Sequence, residues 1–273
     1  MSLEVSLEVI ATTLTDALAA AEGGADRIEL VTGLAEGGLT PSYGLIAQVA
    51  CSTTIPVQVM VRPHSQSFCY NAADVKTMLS DIRAIKGIQN IWNAQGNLCS
   101  SQSGHGNASE NISDTDIYAM DNVSLSRIGI VLGCLTRDHK IDTDVLQTLL
   151  EEAGEMDITF HRAFDEVADQ EKAYETLTRY PAIRRVLTSG GKPSALDAFP
   201  QLRRLVELSQ GSHVAILAGS GLTLEALPAL FRETGVREIH FGSAVHGPRG
   251  IMDAVDSGKV CAIKKALVAN LDR

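Results

Sequence analysis

Short apolar runs alternate along the chain with longer segments whose apolar residues recur at helical spacing. The first run, Leu7 to Ile10, is followed by a helical pattern from Leu14 to Ala21, and Gly23 and Gly24 end that helix. The same reasoning predicts eight strands, at 7–10, 27–31, 57–61, 127–132, 157–160, 184–187, 214–217 and 238–241. Later helices are predicted at about 41–50, 74–87, 143–153, 169–179, 194–209, 223–233 and 258–270.

Regular alternation of strands and helices indicates right-handed crossovers and a parallel sheet. We therefore predict an α/β fold in which residues 1–273 form a single parallel (β/α)8 TIM-type barrel domain. The alternative is a doubly wound open sheet, which uses the same units but seldom needs eight of them and often carries a nucleotide fingerprint. No G-x-G-x-x-G pattern follows the first predicted strand.

Three local features qualify this pattern. Thr40 and Pro41 suit the N-cap and first position of the second helix, whereas Pro200 and Pro228 require two later helices to begin late or to kink. Residues 88–122 are rich in Ser, Asn, Gly and Gln and are long for a connection between a helix and a strand. We interpret them as a mobile surface insertion at the N-terminal face of the barrel, and as a candidate partner contact.

Composition excludes several classes of function. The net charge of −10 and the lack of Lys/Arg clusters argue against nucleic-acid binding. The sequence contains neither a signal-peptide pattern nor an apolar stretch long enough to span a membrane, so a cytoplasmic location is expected. Five widely spaced cysteines suggest reduced thiols rather than a disulfide framework. Assembly into a homo-oligomer stays open.

Polar residues stand where the predicted strands end, and in a barrel these positions share one mouth. The candidate catalytic residues are Glu8, Glu29, Arg62, His161, Arg162, Asp165 and His240. Glu8 and Glu29 facing Arg62 and Arg162 would keep one another ionised, beside a histidine that acts as acid or base near neutral pH. The alternative is a buried ion-pair ring that only closes the barrel.

Glycine-rich loops follow the last three predicted strands. Backbone N–H groups in such loops, with a short helix N-terminus, often bind phosphate in barrels. The candidate anion-binding residues are Ser189, Gly190, Gly219, Ser220, Gly221, Gly242 and Ser243. Tight turn geometry alone is the alternative explanation. The loop at 36–41 is either a flexible lid or a simple turn.

Four runs, EGGADRIEL at 22–30, EGGLTPS at 36–42, TFHRAFD at 159–165 and LTSGG at 187–191, resemble the CutC copper homeostasis family. The resemblance covers about 7–87 and 123–245. It implies a TIM-type barrel, a cytoplasmic location and a role in copper homeostasis, through copper binding or metal tolerance.

Copper(I) prefers thiolate and thioether ligands. Family members proposed to bind it have cysteines just after the first two strands, and these positions are Ile10 and Val31 here. Aliphatic side chains cannot ligate a metal, so no metal ligand is assigned. Cys69 and Cys134 form a substitute pair or, alternatively, pack as buried thiols. The segment 64–67 and Ser220 also depart from the family, which has glycines there.

Two functions follow from these features. The resemblance implies copper handling, whereas the polar mouth and the glycine loops favour a TIM-barrel enzyme for a small anionic or phosphorylated metabolite. A third possibility is a non-catalytic interaction protein that uses the 88–122 insertion.

Overall fold

The fold is described by a computed structural model, which covers residues 5–99 and 127–271. Within these residues the strands are β1 (Ser6–Ala11), β2 (Arg27–Leu30), β3 (Val57–Met60), β4 (Ile128–Leu132), β5 (Ile158–Phe160), β6 (Ile183–Thr188), β7 (Ala215–Gly219) and β8 (Glu238–Phe241). The helices are α1 (Leu14–Glu22), α2 (Tyr43–Ser52), α3 (Ala72–Cys99), α4 (Thr143–Ala153), α5 (Gln170–Leu177), α6 (Phe199–Ser209), α7 (Leu227–Thr234) and α8 (Ser257–Leu271).

The strands close into a parallel barrel in sequence order, which confirms the predicted (β/α)8 fold. Each strand pairs with the next along the chain, and β8 pairs with β1 to complete the ring. In that closing seam Glu8 lies opposite His240, and on its other side it lies opposite Arg27 of β2. Adjacent strands are about 4.8 Å apart, so same-facing side chains in register can touch.

The strands have two differently composed faces. Along β1, Leu7, Val9 and Ala11 join apolar residues of the helices in the main hydrophobic cluster. Glu8 and Ile10 alternate with them and face the barrel interior, because successive side chains of a strand point to opposite sides. The apolar core therefore lies between sheet and helices, while the interior accommodates charge.

Helix starts differ from the sequence prediction in a way that shapes the mouth. Ser42, not Thr40, caps α2, and its hydroxyl accepts a hydrogen bond from the backbone N–H of Leu45. The Thr40 hydroxyl instead exchanges hydrogen bonds with the backbone N–H and carbonyl of Arg62. Thr40 thus fastens the loop after β2 to the loop after β3.

The two proline-containing helices begin late, as expected. Pro200 and Pro228 each lie in the first turn of their helix, where a missing N–H costs nothing. The predicted start of α6 at 194 was wrong, because Ser194 caps a separate 3-10 turn, Ala195–Asp197. The start of α7 at 223 was likewise four residues too early.

The predicted polar insertion begins later than expected. Residues 88–99 belong to α3, whose buried face runs through Met78, Ile82, Ile85 and Ile88 at helical spacing. That continuing stripe is the reason that the helix does not end at 87. The rest of the insertion, 100–122, and its suggested partner contact lie outside the described residues.

Candidate functional site

A cavity of about 350 Å³ opens at the carboxyl ends of the strands. It brings together nine of the residues singled out from the sequence: Glu29, Arg62, His161, Arg162, Ser220, Gly221, His240, Gly242 and Ser243. A volume near the lower end of small-molecule sites suits a ligand of metabolite size. Residues from Glu29 to Ser243 therefore share one site, as the strand ends of a barrel require.

Five other candidates do not line this cavity. Glu8, Ser189, Gly190 and Gly219 are buried, and Asp165 is half-buried. Their contribution to the site is made through the residues that they hold.

Glu8 is the fixed negative charge under the mouth. One carboxylate oxygen, Oε2, accepts from Arg27 Nε at 2.5 Å, and the other, Oε1, lies 2.8 Å from His240 Nδ1. Burial disfavours the ionised carboxylate, but the cations Arg27 and His240 outweigh it and lower the pKa of Glu8 to about 2. Glu8 is therefore ionised at every pH at which the protein would work.

Glu29 and His240 form a second, titratable pair. His240 Nε2 lies 3.7 Å from Glu29 Oε2, and Glu29 Oε1 is buried without a hydrogen-bond partner in the described part of the chain. Burial raises the pKa of Glu29 to about 7, with Glu8 adding to the effect and His240 opposing it. Burial also disfavours the imidazolium of His240, but Glu29 and Glu8 outweigh it and raise its pKa. Glu29 can thus gain or lose a proton near neutral pH, beside an imidazole whose protonated form its charge favours.

The predicted ion partners of these glutamates were wrong. Arg62 Nη1 donates to the backbone carbonyls of residues 36, 37 and 38 at 3.1 to 3.2 Å, and its guanidinium lies 4.6 Å from the ring centre of Phe68. Arg162 donates to Asp165 at 2.8 Å and to the Ser189 hydroxyl at 3.0 Å. Arg27, which the sequence analysis did not single out, takes the role assigned to them.

Arg62 donates to loop carbonyls rather than to a carboxylate, and within residues 5–99 and 127–271 no ion pair neutralises its charge. Arg62 Nε is buried and has no hydrogen-bond partner among the residues that the structure describes. The guanidinium also supports the loop at 36–38, whose glycines have φ of 83° and 88°. Arg62 therefore joins the loop at 36–38 to the cavity, to which it contributes a positive charge.

His161 differs from His240 in its state and its partners. Its Nδ1 accepts from the backbone N–H of Ala163 at 3.1 Å, so the neutral ring carries its proton on Nε2. Burial, with Arg62 adding repulsion, lowers the pKa of His161 to about 3. Nε2 is buried without a partner in the described ranges. His161 is thus a neutral hydrogen-bond donor at the cavity wall rather than a titrating group.

Asp165 organises the loop after β6. It accepts hydrogen bonds from the Thr188 hydroxyl, from the backbone N–H of Ser189 and of Gly191, and from Arg162. With its acceptor sites filled by donors of the protein, it acts on the loop rather than on the cavity.

The loop after β7 has an unusual backbone. Ser220 has φ of 79°, a left-handed conformation that glycine adopts easily and serine rarely does. Its hydroxyl donates to the carbonyl of Pro193 at 2.8 Å, and Ala195 N–H donates to the Ser220 carbonyl. The loop after β6 thus fixes the strained residue in place. This is the physical consequence of serine where the family resemblance implies glycine.

Part of the cavity wall is apolar. Ile10, Val31, Met60 and Val131 form a small cluster of their own, against which Leu34 packs. All four core members are at most 8% exposed. Of these residues, Ile10, Leu34 and Met60 line the cavity.

The donors needed for copper are not assembled here. The positions at which family members carry cysteines are the aliphatic Ile10 and Val31, both in the apolar cluster. Burial, with Asp142 adding repulsion, raises the pKa of Cys134, whose thiol donates to the carbonyl of Asp142 at 3.5 Å. In residues 5–99 and 127–271, no group of three or more His, Cys, Asp or Glu side chains could hold a metal. The described residues therefore assemble no metal site of three or more such ligands.

These features define the class of protein as a (β/α)8 barrel with an ionisable pocket at the carboxyl ends of its strands. The sequence model of the CutC family matches residues 5–107 and 95–245. A CutC family protein of Caulobacter vibrioides is 38% identical over 255 residues, covering 92% of this chain and 88% of its own length. The copper homeostasis protein cutC homolog of Homo sapiens is 35% identical over 234 residues, covering 86% and 71%. The chain therefore belongs to the CutC family.

Solved structures agree with that assignment. CutC of Streptococcus agalactiae, described as a copper homeostasis protein, superposes with a TM-score of 0.68 at 28% identity, covering 86% of this chain and 97% of its own. Phosphoribosyl anthranilate isomerase of Thermotoga maritima reaches a TM-score of 0.56 at 10% identity, a likeness of fold alone. Among the described helices, none has the length and apolarity needed to cross a membrane.

Proposed function

We propose that this CutC family protein is an enzyme that catalyses proton transfer to or from a small anionic metabolite bound in the mouth of the barrel. The observation that carries the proposal is the buried pair of Glu29 and His240, 3.7 Å apart, in which burial raises the pKa of the carboxyl to about 7. A group whose pKa lies near the working pH is suited to both accepting and giving a proton.

The opposite part of the cavity supplies groups that bind anions. Arg62 contributes a charge that has no carboxylate partner in the described part of the chain, and His161 contributes a neutral Nε2–H donor. Arg162, whose side chain is 43% exposed, adds a second cation. We assign these residues to binding the anionic group, and Glu29 and His240 to the proton. Of the glycine loops, the cavity-lining residues 220, 221, 242 and 243 are the anion-binding candidates that this proposal retains.

A thermal-shift screen tests the proposal. Phosphate, sugar phosphates, and 2-oxo and 2-hydroxy acids are added to the purified chain, and a stabilising anion is then tested on Arg62→Ala. We expect the shift to be lost in that variant and kept in Arg83→Ala, a surface arginine that pairs with Glu152 outside the cavity. The absence of a stabilising anion, or equal loss in both variants, would refute anion binding at the mouth.

Proton transfer needs its own test. For a ligand found by the screen, NMR in D₂O follows exchange of its carbon-bound hydrogens with solvent. Exchange by the wild type and its loss in Glu29→Gln, with anion binding retained, would support the proposed chemistry. Exchange that persists in Glu29→Gln would remove the carboxyl from its assigned role.

Copper handling is the second candidate, favoured by the names of the human and streptococcal relatives. Its test is competition between the protein and a copper(I) chelator. Because Cys69 and Cys134 follow β3 and β4 on the side of the barrel where the strands end, a double serine variant is the control. Binding that is tighter in the wild type would establish a thiol site, and equal binding would exclude it. The free thiols of Cys51, Cys69, Cys134 and Cys261 support a cytoplasmic location for either function.

A further inference from the structure

Charged side chains of alternating sign cross the interior of the barrel. Asp157 lies 2.6 Å from Arg185, and Arg185 lies 3.4 Å from Glu238. Glu238 in turn lies 2.8 Å from Arg27, which binds Glu8 at 2.5 Å. This row of ion pairs thus leads from the N-terminal side of the strands to the carboxylate beneath the mouth. Alternation of sign lets each buried charge meet an opposite one.

Glu8, the last residue of this row of ion pairs, contacts the proton-transfer pair of Glu29 and His240 through His240. Glu8 uses both of its oxygens, one for Arg27 and one for His240 Nδ1. With Nδ1 engaged in this way, His240 Nε2 is directed toward Glu29. The register of the sheet enforces the arrangement, because Glu8 lies opposite Arg27 on one side and opposite His240 on the other.

We propose that Arg27 is a positioning residue, which keeps Glu8 ionised so that Glu8 holds the Nδ1 proton of His240 and aims Nε2 at Glu29. The inference rests on the proposed function, because it assigns the origin of the proton-transfer geometry in that site. Arg27 is 7% exposed and does not line the mouth cavity. Its hydrogen bond to the site is made to Glu8, while its charge also acts at longer range on Glu29 and His240.

The electrostatics of the pair depend on few groups. Glu8 is faced by Arg27 from β2 and by His240 from β8, while His240 is faced by Glu29, Glu8 and Arg27. Glu238 of β8 contacts Arg27 but not Glu8. Without Arg27, His240 would be the one cation among the described residues that opposes burial of the Glu8 carboxylate, and Glu29 would add a like charge. A neighbouring opposite charge lowers a carboxyl pKa by about 1 to 3 pH units, and its removal should reverse that change.

Arg185 provides a matched control. It is also 7% exposed, also contacts Glu238 and also occupies the barrel interior, but its own ion partners are Asp157 and Glu238. Arg27→Gln and Arg185→Gln therefore remove equally buried charges from one network. Only the first removes the partner of Glu8.

The experiment is an NMR titration of the substrate-free protein, labelled in Glu carboxyl carbons and His ring nitrogens. Between about pH 6 and pH 4 the wild type should show a flat His240 Nδ1 signal, because Glu8 stays ionised throughout that range. In Arg27→Gln we expect Glu8 to titrate about 1 to 3 pH units higher, with a matching inflection at His240 Nδ1. Arg185→Gln should keep the wild-type behaviour.

Equal changes in both arginine variants, or a shift of Glu8 that leaves His240 Nδ1 unaffected, would overturn the positioning role. If Arg27→Gln does not fold, Arg27→Lys and Glu8→Gln take its place. The lysine variant should retain the flat signal, and Glu8→Gln should lower the His240 midpoint by at least about 1 pH unit. An unchanged midpoint there would also overturn the inference. Because these measurements use no ligand, their outcome is independent of the anion screen and the exchange assay.

Discussion

The raised pKa of Glu29 makes a specific prediction about stability and pH. In the unfolded chain this carboxyl ionises around 4.5, and in the folded protein burial moves its pKa to about 7. Between these values the native state holds a proton that the unfolded state has lost. The contribution of the Glu29 proton to the free energy of unfolding is therefore fully present below pH 4.5 and is lost as the pH rises through 7.

The magnitude follows from the same two values. They differ by about 2.5 pH units, and each unit corresponds to about 1.4 kcal/mol, so the contribution is about 3 kcal/mol. The side chain of Glu29 is only 3% exposed, so solvent screening reduces this little. Glu29→Gln removes the ionisation. The free energy of unfolding of the variant minus that of the wild type should therefore increase by about 3 kcal/mol as the pH is raised from 4.5 to 8.

Guanidinium chloride unfolding of both proteins at pH 4.5, 6, 7 and 8 measures this difference. Glu8→Gln is the matched control, because Glu8 is equally buried and also contacts His240, but its pKa is lowered to about 2. It should destabilise the protein at every one of these pH values by leaving Arg27 without its 2.5 Å partner. A constant difference between the wild type and Glu29→Gln from pH 4.5 to pH 8 would refute the reasoning.

Three other substitutions test how the mouth is built. Asp165→Asn should lower the free energy of unfolding, measured in urea titrations, by about 2 to 4 kcal/mol, because the NH2 group of asparagine would face the N–H donors that the carboxylate now accepts from. A loss of less than about 1 kcal/mol would contradict the role of Asp165 in holding the loop. Ser220→Gly should be about 1 to 2 kcal/mol more stable than Ser220→Ala, because only glycine relieves φ of 79°. Gly133→Ala would place a Cβ 2.5 Å from His161 Nδ1, so anion binding should weaken, whereas Gly44→Ala, with open space around it, should leave binding unchanged.

The fold was predictable because its signals are local. Apolar runs separated by helical periodicity define the eight units, and the ring closure follows from regular alternation. Errors occurred where a polar side chain had a partner distant in sequence. Thr40 has the residue type of a helix cap, but its hydroxyl accepts a hydrogen bond from the backbone N–H of Arg62, 22 positions later. Likewise α3 extends past 87 because Ile88 packs against the barrel, which polar composition conceals.

The sequence predicted which residues lie at the site, but not which of them form ion pairs and hydrogen bonds with one another. Strand-end position was enough to place Glu29, Arg62, His161 and His240 at one cavity. Pairing depends on lateral register, which one sequence does not specify. A signal for Arg27 was present nonetheless, because it lies two residues before Glu29 and alternation puts both side chains on the same face of β2. The same spacing relates Glu238 to His240 in β8.

The seam between the first and last strands has a consequence for how the protein is made. Glu8 finds its histidine 232 residues later, and Arg27 meets Glu238 after 211. A growing chain that has not yet produced β8 must keep these early charges hydrated, since burying them unpaired is costly. The pocket is therefore among the last parts of the molecule to form, and a fragment ending before the eighth strand would lack its proton-sharing pair altogether.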